Sequence, residues 1–240
     1  MYTKPVNLSS RMSLRQSWDA HAGDWIEWAR ADDHDHFFWS FSLPELLGLL
    51  PAPGRLTLDL GCGEGRLSRV LAAAGHRVVG VEASEALAAA ARAAAPEIPV
   101  HVADAAALPL ADGEADLVVA SMVLMNLDDL DGAMREVARV LAPGGRLCAS
   151  LVHPFNSPKA GHYFEPHAYP EERVRGGLRM TFHDMHRPLQ AYAGALASAG
   201  LNIEALREPV PSDAYVAEHP EVARWRAAPC FLLLRAARPS

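Results

Sequence analysis

The residues Leu58-Asp59-Leu60-Gly61-Cys62-Gly63-Glu64-Gly65 decide the fold of this chain. Apolar residues lead into glycines at alternate positions, and a helix-like segment from Arg66 to Ala74 follows. This order predicts a buried strand, a tight turn and the first turn of a helix. Glycine permits a sharp turn, and it lets a ligand approach the backbone because it has no Cβ. Such a turn at the edge of a parallel sheet is typical of a site for a nucleotide-like ligand.

The spacing of the glycines bears on the identity of that ligand. The dinucleotide fingerprint is G-x-G-x-x-G, which places a pyrophosphate at the helix N-terminus. Here the spacing is G-x-G-x-G, and Glu64 lies in the turn. Its carboxylate would repel a pyrophosphate but not a ligand that carries a sulfonium and an ammonium group. Taken alone, the spacing also fits a purely structural turn.

Composition narrows the class of protein. With 240 residues, half of them hydrophobic, the chain is expected to form one large domain or a domain with an insertion. The net charge of -7 argues against a nucleic-acid partner. There is no apolar run of membrane-spanning length and no secretion leader, so we expect a cytoplasmic protein without a membrane partner. Its richness in alanine and arginine suggests a bacterial source.

Strand-like and helix-like segments alternate from residue 55 onward. Continuous apolar strands that alternate with helices predict a parallel sheet covered on both faces. The predicted strands are Arg55–Leu60, Arg77–Val81, Pro99–Ala103, Asp116–Met122, Arg146–Val152, Ile203–Val210 and Cys230–Ala236. The predicted helices between them are Glu64–Ala74, Ser84–Ala95, Asp131–Leu141 and Pro188–Ala199.

Two segments depart from this alternation. Residues 14–39 carry most of the tryptophans and predict an amphipathic helix with an aromatic turn, and Ser42-Leu43-Pro44-Glu45 predicts a capping box. Residues 153–187 predict an insertion with a hairpin around Gly176-Gly177. We therefore divide the chain into a helical lid at 1–50, a core at 51–152, a cap at 153–187 and a completion of the sheet at 188–240.

Four features stand in the order of a known family, and through them the chain resembles the class I S-adenosylmethionine-dependent methyltransferases. They are Leu58–Gly65, Glu82 at the end of strand two, Asp104-Ala105 after strand three and Arg139–Gly145 before strand five. The chain looks most like the type 11 group, which includes ubiquinone and menaquinone C-methyltransferases and many small natural-product enzymes. The resemblance implies an α/β fold: a Rossmann-like, seven-stranded, mostly parallel sheet with an antiparallel last strand, helices on both faces, an N-terminal helical lid and a cap insertion after strand five.

The resemblance also implies a set of residues that bind S-adenosylmethionine. Glu82 would accept hydrogen bonds from the ribose hydroxyls, and Asp104 would accept from the adenine amino group while the Ala105 amide donates to the ring. Asp59 would order the turn and reach toward the methionine ammonium group. The remaining expected cofactor-binding residues are Gly61, Cys62, Gly63, Ala83, Ser121, Met122, Trp25 and Arg30. Arg139 and Pro143-Gly144-Gly145 we interpret as structural.

Methyl transfer from a sulfonium is an in-line displacement that needs no metal. The protein must orient the acceptor, exclude water and, for some acceptors, remove a proton. His153 directly after strand five and His186 at the end of the insertion are the candidate bases, because a neutral imidazole accepts a proton near neutral pH. The expected substrate-binding residues are Trp39, Met125, Asn126, His153 and Tyr163.

One departure from the family pattern concerns the base. Many type 11 enzymes place a histidine just after strand four, where this chain has Leu124-Met125-Asn126-Leu127. Asn126 can orient a substrate but cannot accept its proton. The chain therefore uses either positioning alone or a base from the insertion.

The sequence offers two weak metal signals, and we predict no metal site from either. The cysteines, Cys62, Cys148 and Cys230, are scattered without paired spacing, and the last two lie in apolar runs typical of buried thiols. Asp32-Asp33-His34-Asp35-His36 has suitable ligands. Five adjacent polar side chains cannot all face one ion, so we expect a solvated loop there.

The favoured function is a methyltransferase of class EC 2.1.1.-, acting on an O, N or C atom of a small, partly apolar molecule in secondary metabolite biosynthesis. We expect a monomer or a homodimer. The first alternative is a protein that retains the cofactor without transferring a methyl group, as a pericyclase-like catalyst or a scaffold. The second is an NAD(P)-dependent oxidoreductase.

Overall fold

The computed structural model describes residues 13–31, 34–156 and 163–240. Its N-terminal part contains α1 (Leu14–Ala20) and α2 (Ala22–Arg30), and Ser13 forms a capping box with Gln16 at the start of α1. A π-helical segment, Phe37–Ser42, then runs directly into α3 (Leu43–Leu47). The predicted capping box at Ser42 is wrong, because that residue already has a helical backbone and its hydroxyl makes no cap hydrogen bond.

The rest of the described chain alternates between strands and helices. In order, its elements are β1 (Thr57–Leu60), α4 (Arg66–Ala73), β2 (Val78–Glu82), α5 (Glu85–Ala94), β3 (Val100–Val102), β4 (Ala115–Ser121), α6 (Leu130–Val140), β5 (Leu141–Val152), β6 (His167–Arg175), β7 (Leu178–His186), α7 (Leu189–Ser198), β8 (Asn202–Arg207), α8 (Asp213–Glu218) and β9 (Phe231–Ala237). Strand β5 begins earlier than predicted, because Leu141 pairs with Ala115 across a bulge.

The described residues form a sheet of seven strands in the order β3-β2-β1-β4-β5-β9-β8. Strands β1 to β5 are parallel, and β9 runs antiparallel to both of its neighbours. This confirms the predicted fold class. Since the order of parallel strands reverses at β1 and β4, a crevice opens beyond their carboxyl ends, which is where ligands bind in sheets of this kind.

The core lies on both faces of the sheet, as the alternation of side chains along a strand requires. Along β4, Val118 and Ala120 pack on the side of α6 and α7, whereas Leu117 and Val119 pack on the side of α3 and α4. Arg139 of α6 donates hydrogen bonds to the carbonyl oxygens of Leu108 and Leu110 and thereby fixes the segment before β4, in keeping with a structural role.

Strands β6 and β7 form the predicted hairpin, separate from the main sheet. Gly176 and Gly177 both have positive φ values, which the tight turn between the strands requires. The hairpin packs against the N-terminal helices: the ring of Phe182 lies 6.3, 6.1 and 5.8 Å from the rings of Trp18, Trp25 and Trp28. The indole Nε1 of Trp18 also donates a hydrogen bond to the His183 carbonyl oxygen at 2.9 Å.

Candidate functional site

A cavity of about 670 Å³ lies between the carboxyl ends of the parallel strands, the N-terminal helices and the β6–β7 hairpin. Its volume falls in the range of about 300–1,000 Å³ that is typical of small-molecule sites. The sequence-predicted residues that line it are Trp25, Asp59, Gly61, Cys62, Gly63, Glu82, Ala83, Asp104, Ala105, Ser121, Met122, Met125 and Asn126. The fold thus brings most of the expected cofactor-binding residues into one crevice.

The turn after β1 needs glycine for two different reasons. Gly61 and Gly63 have φ values of +67° and +57°, in the left-handed region that favours glycine. A Cβ on Gly61 would lie only 2.3 Å from a methyl carbon of Val123, so no side chain fits there. A Cβ on Gly63 would lie 3.3 Å from the indole nitrogen of Trp25, inside the cavity wall. The turn therefore presents bare backbone to a ligand.

Glu82 lies at the end of β2 with its carboxylate against this turn. One oxygen accepts a hydrogen bond from the Gly63 amide at 2.9 Å, and the other accepts from the Ser84 amide at 2.9 Å. Burial raises the pKa of this carboxyl, although the two amides oppose that effect. Each carboxylate oxygen retains a lone pair for a ligand hydroxyl, because an ionised carboxylate accepts up to about four hydrogen bonds.

Asp59 is the second buried acid of the cavity. Its side chain is 1% exposed and accepts a hydrogen bond from the Ser68 hydroxyl at 2.6 Å. Burial raises its pKa to about 7, and the nearby charge of Glu82 acts in the same direction. Two buried carboxylates this close together attract a cationic ligand group, since a positive charge would stabilise both in their ionised form.

Asp104 and Ala105 lie beyond the end of β3, and the Asp104 carboxylate accepts a hydrogen bond from the Ala106 amide at 2.9 Å. Ser121 and Met122 close the end of β4. The Ser121 hydroxyl lies 3.2 Å from that of Ser150, and Met122 has a φ value of +57°, which is rare for a residue with a side chain. The backbone at Met122 is therefore held in a strained conformation next to the cavity.

Glu64, which the sequence places in the turn, is paired rather than free. Its carboxylate is 1% exposed and accepts hydrogen bonds from Arg30 at 3.0 Å and Arg69 at 3.1 Å. Arg30 also donates to the Ala90 carbonyl oxygen, and it does not belong to the described residues that line the cavity. Arg30 thus connects α2 to Glu64, just before α4, and its predicted contact with the cofactor carboxylate stays a prediction.

His153, the first candidate base, lies outside the lining of the cavity as far as the described residues show. Its Nε2 is 2.9 Å from a carboxylate oxygen of Glu208, and its Nδ1 accepts a hydrogen bond from the Phe155 amide at 3.1 Å. Burial lowers its pKa, while Glu208 raises it. Both ring nitrogens have partners within the protein, so this geometry lends His153 no support as a base or substrate contact, and that role stays a prediction.

His186 and Tyr163 contact each other. His186 is buried, and its Nε2 lies 2.7 Å from the Tyr163 carbonyl oxygen. The Tyr163 hydroxyl accepts a hydrogen bond from the Leu189 amide at 3.0 Å, at the first residue of α7. Neither side chain is among the described residues around the cavity. These contacts support the junction between β7 and α7, and the roles of His186 as base and Tyr163 as substrate contact stay predictions.

Trp39 also departs from its predicted role. It is 43% exposed, packs edge-on against Phe38 and does not line the cavity within the described residues. Its neighbours in sequence point inward instead: Phe38 carries the guanidinium of Arg66 at 3.6 Å from its ring centre, and Arg66 pairs with Asp35 at 2.8 Å. The π-helical turn explains the difference, because it directs Phe38 and Phe41 into the core.

The polar segment before that turn is not a solvated loop. Asp32 and Asp33 lie outside the described residues. His34 is buried, and the centre of its ring lies 4.2 Å from that of Trp28. The Nδ1 of His36 forms a hydrogen bond of 2.7 Å with the Tyr215 hydroxyl. His36, His219 and Glu221 bring ligand atoms within 4.8 Å of one another. The two imidazoles are stacked at 3.9 Å and 6°, however, and one ion cannot lie in the planes of two stacked rings.

The sequence missed two polar residues of the hairpin, Tyr169 and Asp184, which line the cavity and are nearly buried. Asn126 donates a hydrogen bond from Nδ2 to the Asp184 carboxylate at 2.5 Å. A signal was present in the alternation of β7, where an acid interrupts a buried face that also carries Met180 and Phe182. It could be used only once the hairpin was known to face the crevice.

Comparison with known proteins agrees with this geometry. A family model described as a methyltransferase domain, of type 11, matches residues 58–149. The crystal structure of an S-adenosylmethionine-dependent methyltransferase from Mesorhizobium loti is similar over 81% of this chain and 96% of that chain, with 30% identity and a TM-score of 0.67. This chain belongs to the S-adenosylmethionine-dependent methyltransferases. The type 11 resemblance read from the glycine turn and the two acids is thereby confirmed.

Two further similar proteins are named for different reactions. A ubiquinone/menaquinone biosynthesis C-methyltransferase from Caulobacter vibrioides is 33% identical over 142 residues, 53% of this chain and 56% of the relative. The chain thus spans about half the length of the curated relatives it matches. The cyclase SpnF shares the fold, with a TM-score of 0.65 over 96% of this chain and 98% of that one, at 22% identity.

The crevice suits the cofactor of the methyltransferases better than a dinucleotide. A pyrophosphate would require free amides at the glycine turn, but the Gly63 amide already donates to Glu82. S-Adenosylmethionine has no diphosphate, and its ammonium and sulfonium groups match the buried carboxylates of Asp59 and Glu82. In the described part of the chain, no helix is both long and apolar enough to cross a membrane.

Proposed function

We propose that this protein transfers the methyl group of S-adenosylmethionine to an O, N or C atom of a small, partly apolar molecule. The observation that carries this proposal is the meeting of Asp59, Glu82 and Asp104 in one crevice at the carboxyl ends of three parallel strands. Family membership supports the same reaction. The C-methyltransferase named among the curated relatives makes a carbon acceptor one of the options.

Each part of the chain has a distinct task in this proposal. When bound, the cofactor supplies a methyl group made electrophilic by the positive sulfur. Glu82 would hold the ribose, Asp104 the adenine and Asp59 the ammonium group, because each carboxylate is oriented by a donor of its own. These contacts fix the cofactor at the strand ends and leave the hairpin side of the cavity for the acceptor.

The lid and hairpin would exclude water from the reaction. Ser84 at the start of α5 donates its hydroxyl hydrogen to Asp19 of α1 at 2.5 Å, and the Leu14 amide donates to Asp128 at 3.0 Å. Aromatic rings of Trp18, Trp28 and Phe182 cover the cavity from the same side. A dry, preoriented site favours displacement, because the acceptor is held near the methyl group and cannot be replaced by water.

Calorimetric titration with S-adenosylhomocysteine and, separately, with NADH tests the proposal. We expect S-adenosylhomocysteine to bind at one site and NADH to give no heat. No detectable binding of S-adenosylhomocysteine up to millimolar concentration would contradict the proposal, and tight NADH binding would revive the oxidoreductase. Binding without release of S-adenosylhomocysteine from the methyl donor, tested with a bacterial metabolite extract, would favour the non-methylating alternative.

A further inference from the structure

Asp184, Tyr169 and Asn126 meet in the wall of the cavity. Tyr169 of β6 stands directly opposite Asp184 of β7 in the hairpin, and its hydroxyl lies near the carboxylate and lowers the pKa of Asp184. Asn126, just beyond the end of β4, donates from Nδ2 to Asp184 at 2.5 Å and to the His183 carbonyl oxygen at 2.9 Å. Asn126 therefore fixes the orientation of the Asp184 carboxyl group, with the Tyr169 hydroxyl beside it.

The charges around Asp184 leave it without a cationic partner among the described residues. Glu171 on β6 faces it as a second acid, and Tyr192 on α7 lies near both Asp184 and Arg187. The side chain is 5% exposed. Burial raises its pKa to about 7, and Glu171 adds to that effect, while Asn126 and Tyr169 reduce it.

Asp184 differs from a buried acid that only forms hydrogen bonds within the protein core. Asp184 lies on the cavity surface rather than behind it, and a carboxylate that accepts a hydrogen bond from Asn126 keeps lone pairs for a ligand proton. The neighbouring cavity wall is aromatic, with Phe182 on the same strand face. An apolar, ring-containing acceptor with one polar group would fill such a site.

We propose that Asp184 is the general base that accepts the proton of a weakly acidic hydroxyl group on the acceptor, such as a phenol, quinol or enol. Asn126 and Tyr169 are the positioning residues that aim its carboxylate. This inference rests on the proposed function, since it names the acceptor class of the same site. It also supplies the base that the sequence lacks after β4, from the insertion rather than from a histidine.

The step balances without a further reactant. The acceptor's O–H bond breaks, and its proton passes to a carboxylate oxygen of Asp184. The electron pair released on oxygen, or on a conjugated ring carbon, forms the bond to the methyl carbon, and the pair of the broken carbon–sulfur bond remains on the sulfur of the leaving thioether. At a carbon acceptor the ring hydrogen leaves as a proton to water, and the acceptor's oxygen regains a proton from solvent, which restores its hydroxyl group. Asp184 returns its proton to solvent after the product leaves.

A base is needed for this class of acceptor. A phenol has a pKa of about 10, so it is almost wholly protonated near neutral pH. General bases are most effective when their own pKa lies near the working pH, where they contribute about 10²–10⁴-fold to the rate. An ordinary exposed aspartate, with a pKa of about 4, would be too weak a base for that task.

The test uses 2-naphthol as the probe and calorimetry as the readout, with the protein saturated with S-adenosylhomocysteine. The wild type should bind 2-naphthol about five-fold more tightly at pH 8 than at pH 6, because the ionised carboxylate accepts a stronger hydrogen bond. Asp184→Asn should bind it weakly and equally at both pH values. The matched control is Glu172→Gln, an exposed acid of the same hairpin, which should behave as the wild type.

A second variant separates a positioning role from mere packing. Asn126→Ala removes a donor that lowers the pKa of Asp184, so the pH at which 2-naphthol binding strengthens should move upward. The inference is overturned if wild-type binding does not change with pH, if Asp184→Asn keeps the wild-type pH dependence, or if the wild type does not bind 2-naphthol. S-Adenosylhomocysteine binding is measured first in every variant. If the wild type does not bind S-adenosylhomocysteine, the proposed function and the base are refuted together. If it binds S-adenosylhomocysteine normally but its affinity for 2-naphthol does not change with pH, the base alone is refuted.

Discussion

The carboxylate of Glu82 accepts a hydrogen bond from the backbone amide of Gly63 at 2.9 Å. This contact ties the end of β2 to the glycine turn after β1 and occupies an amide that a pyrophosphate would otherwise use. It also orients the carboxylate for a ligand with hydroxyl groups. This pair therefore disfavours a diphosphate at the glycine turn.

The first prediction concerns Glu82. Glu82→Ala should weaken the binding of S-adenosylhomocysteine by about 1–3 kcal/mol, because the ribose hydroxyls and the Gly63 amide lose their acceptor. Calorimetry measures this directly. Glu85→Ala, three residues later on the exposed start of α5, serves as the control and should bind as the wild type. Equal affinities for Glu82→Ala and the wild type would show that the end of β2 does not contact the cofactor.

The second prediction concerns the pH dependence of stability at Asp59. Since burial raises its pKa to about 7, the folded protein without ligand holds this proton more tightly than the unfolded chain does. The contribution of this proton to the free energy of unfolding is complete below the pKa that Asp59 has in the unfolded chain. It is lost as the pH rises through about 7. From pH 5 to pH 8 the wild type should therefore lose about 2 kcal/mol of unfolding free energy relative to Asp59→Asn.

Urea unfolding of both proteins at the two pH values measures the difference. Parallel pH profiles for wild type and variant would mean that Asp59 is not protonated in the free protein at pH 5. The same variant should bind S-adenosylhomocysteine more weakly at pH 8, because the ammonium group of the ligand loses its carboxylate partner. Above pH 7, Asp59 thus lowers the free energy of unfolding of the free protein but raises its affinity for S-adenosylhomocysteine.

The third prediction concerns Arg30, which joins the lid to the core. Arg30→Ala removes one of the two arginines that hold Glu64, and it should speed amide hydrogen exchange across α2 while lowering the free energy of unfolding by about 1–2 kcal/mol. Glu64 keeps Arg69, so the loss stays below that of a fully unpaired buried charge. Arg179→Ala, which removes only an ion pair with Glu172 that is exposed on both sides, should change neither quantity measurably. Unchanged amide hydrogen exchange across α2 in Arg30→Ala would show that the Arg30–Glu64 ion pair does not hold this helix in place.

The fourth prediction concerns His153. His153→Ala should leave the affinity for S-adenosylhomocysteine unchanged, since the ring lies outside the cavity lining, while the Phe155 amide loses its acceptor. We expect a loss of about 1–3 kcal/mol in unfolding free energy, measured by urea denaturation. Weaker cofactor binding at wild-type stability would instead return His153 to the site.

The sequence predicted which residues meet at the glycine turn because its signals there are local. Gly61, Gly63 and Glu82 are positioned by strand ends and a turn, and parallel strands of one sheet bring their carboxyl ends to the same edge. Short-range patterns of this kind can be read without knowing which distant segments meet. The glycines of the hairpin turn at Gly176 and Gly177 were predictable for the same reason.

The acceptor half could not be predicted because it depends on long-range packing. His153 directly follows β5, yet its ring partner is Glu208, which follows the distant strand β8. Asp184 gains its position from the register with Tyr169 and from Asn126, 58 residues earlier in the chain. Closeness in sequence to a strand end therefore did not predict that Tyr169 and Asp184 line the cavity, because their position depends on the packing of the hairpin.

The most direct measurement is a crystal structure of this protein with S-adenosylhomocysteine. We predict the ribose hydroxyls within hydrogen-bond distance of Glu82, the adenine beside Asp104 and the amino group facing Asp59. A ligand bound elsewhere, or the diphosphate of NADH resting on the turn at residues 61–65, would contradict the account.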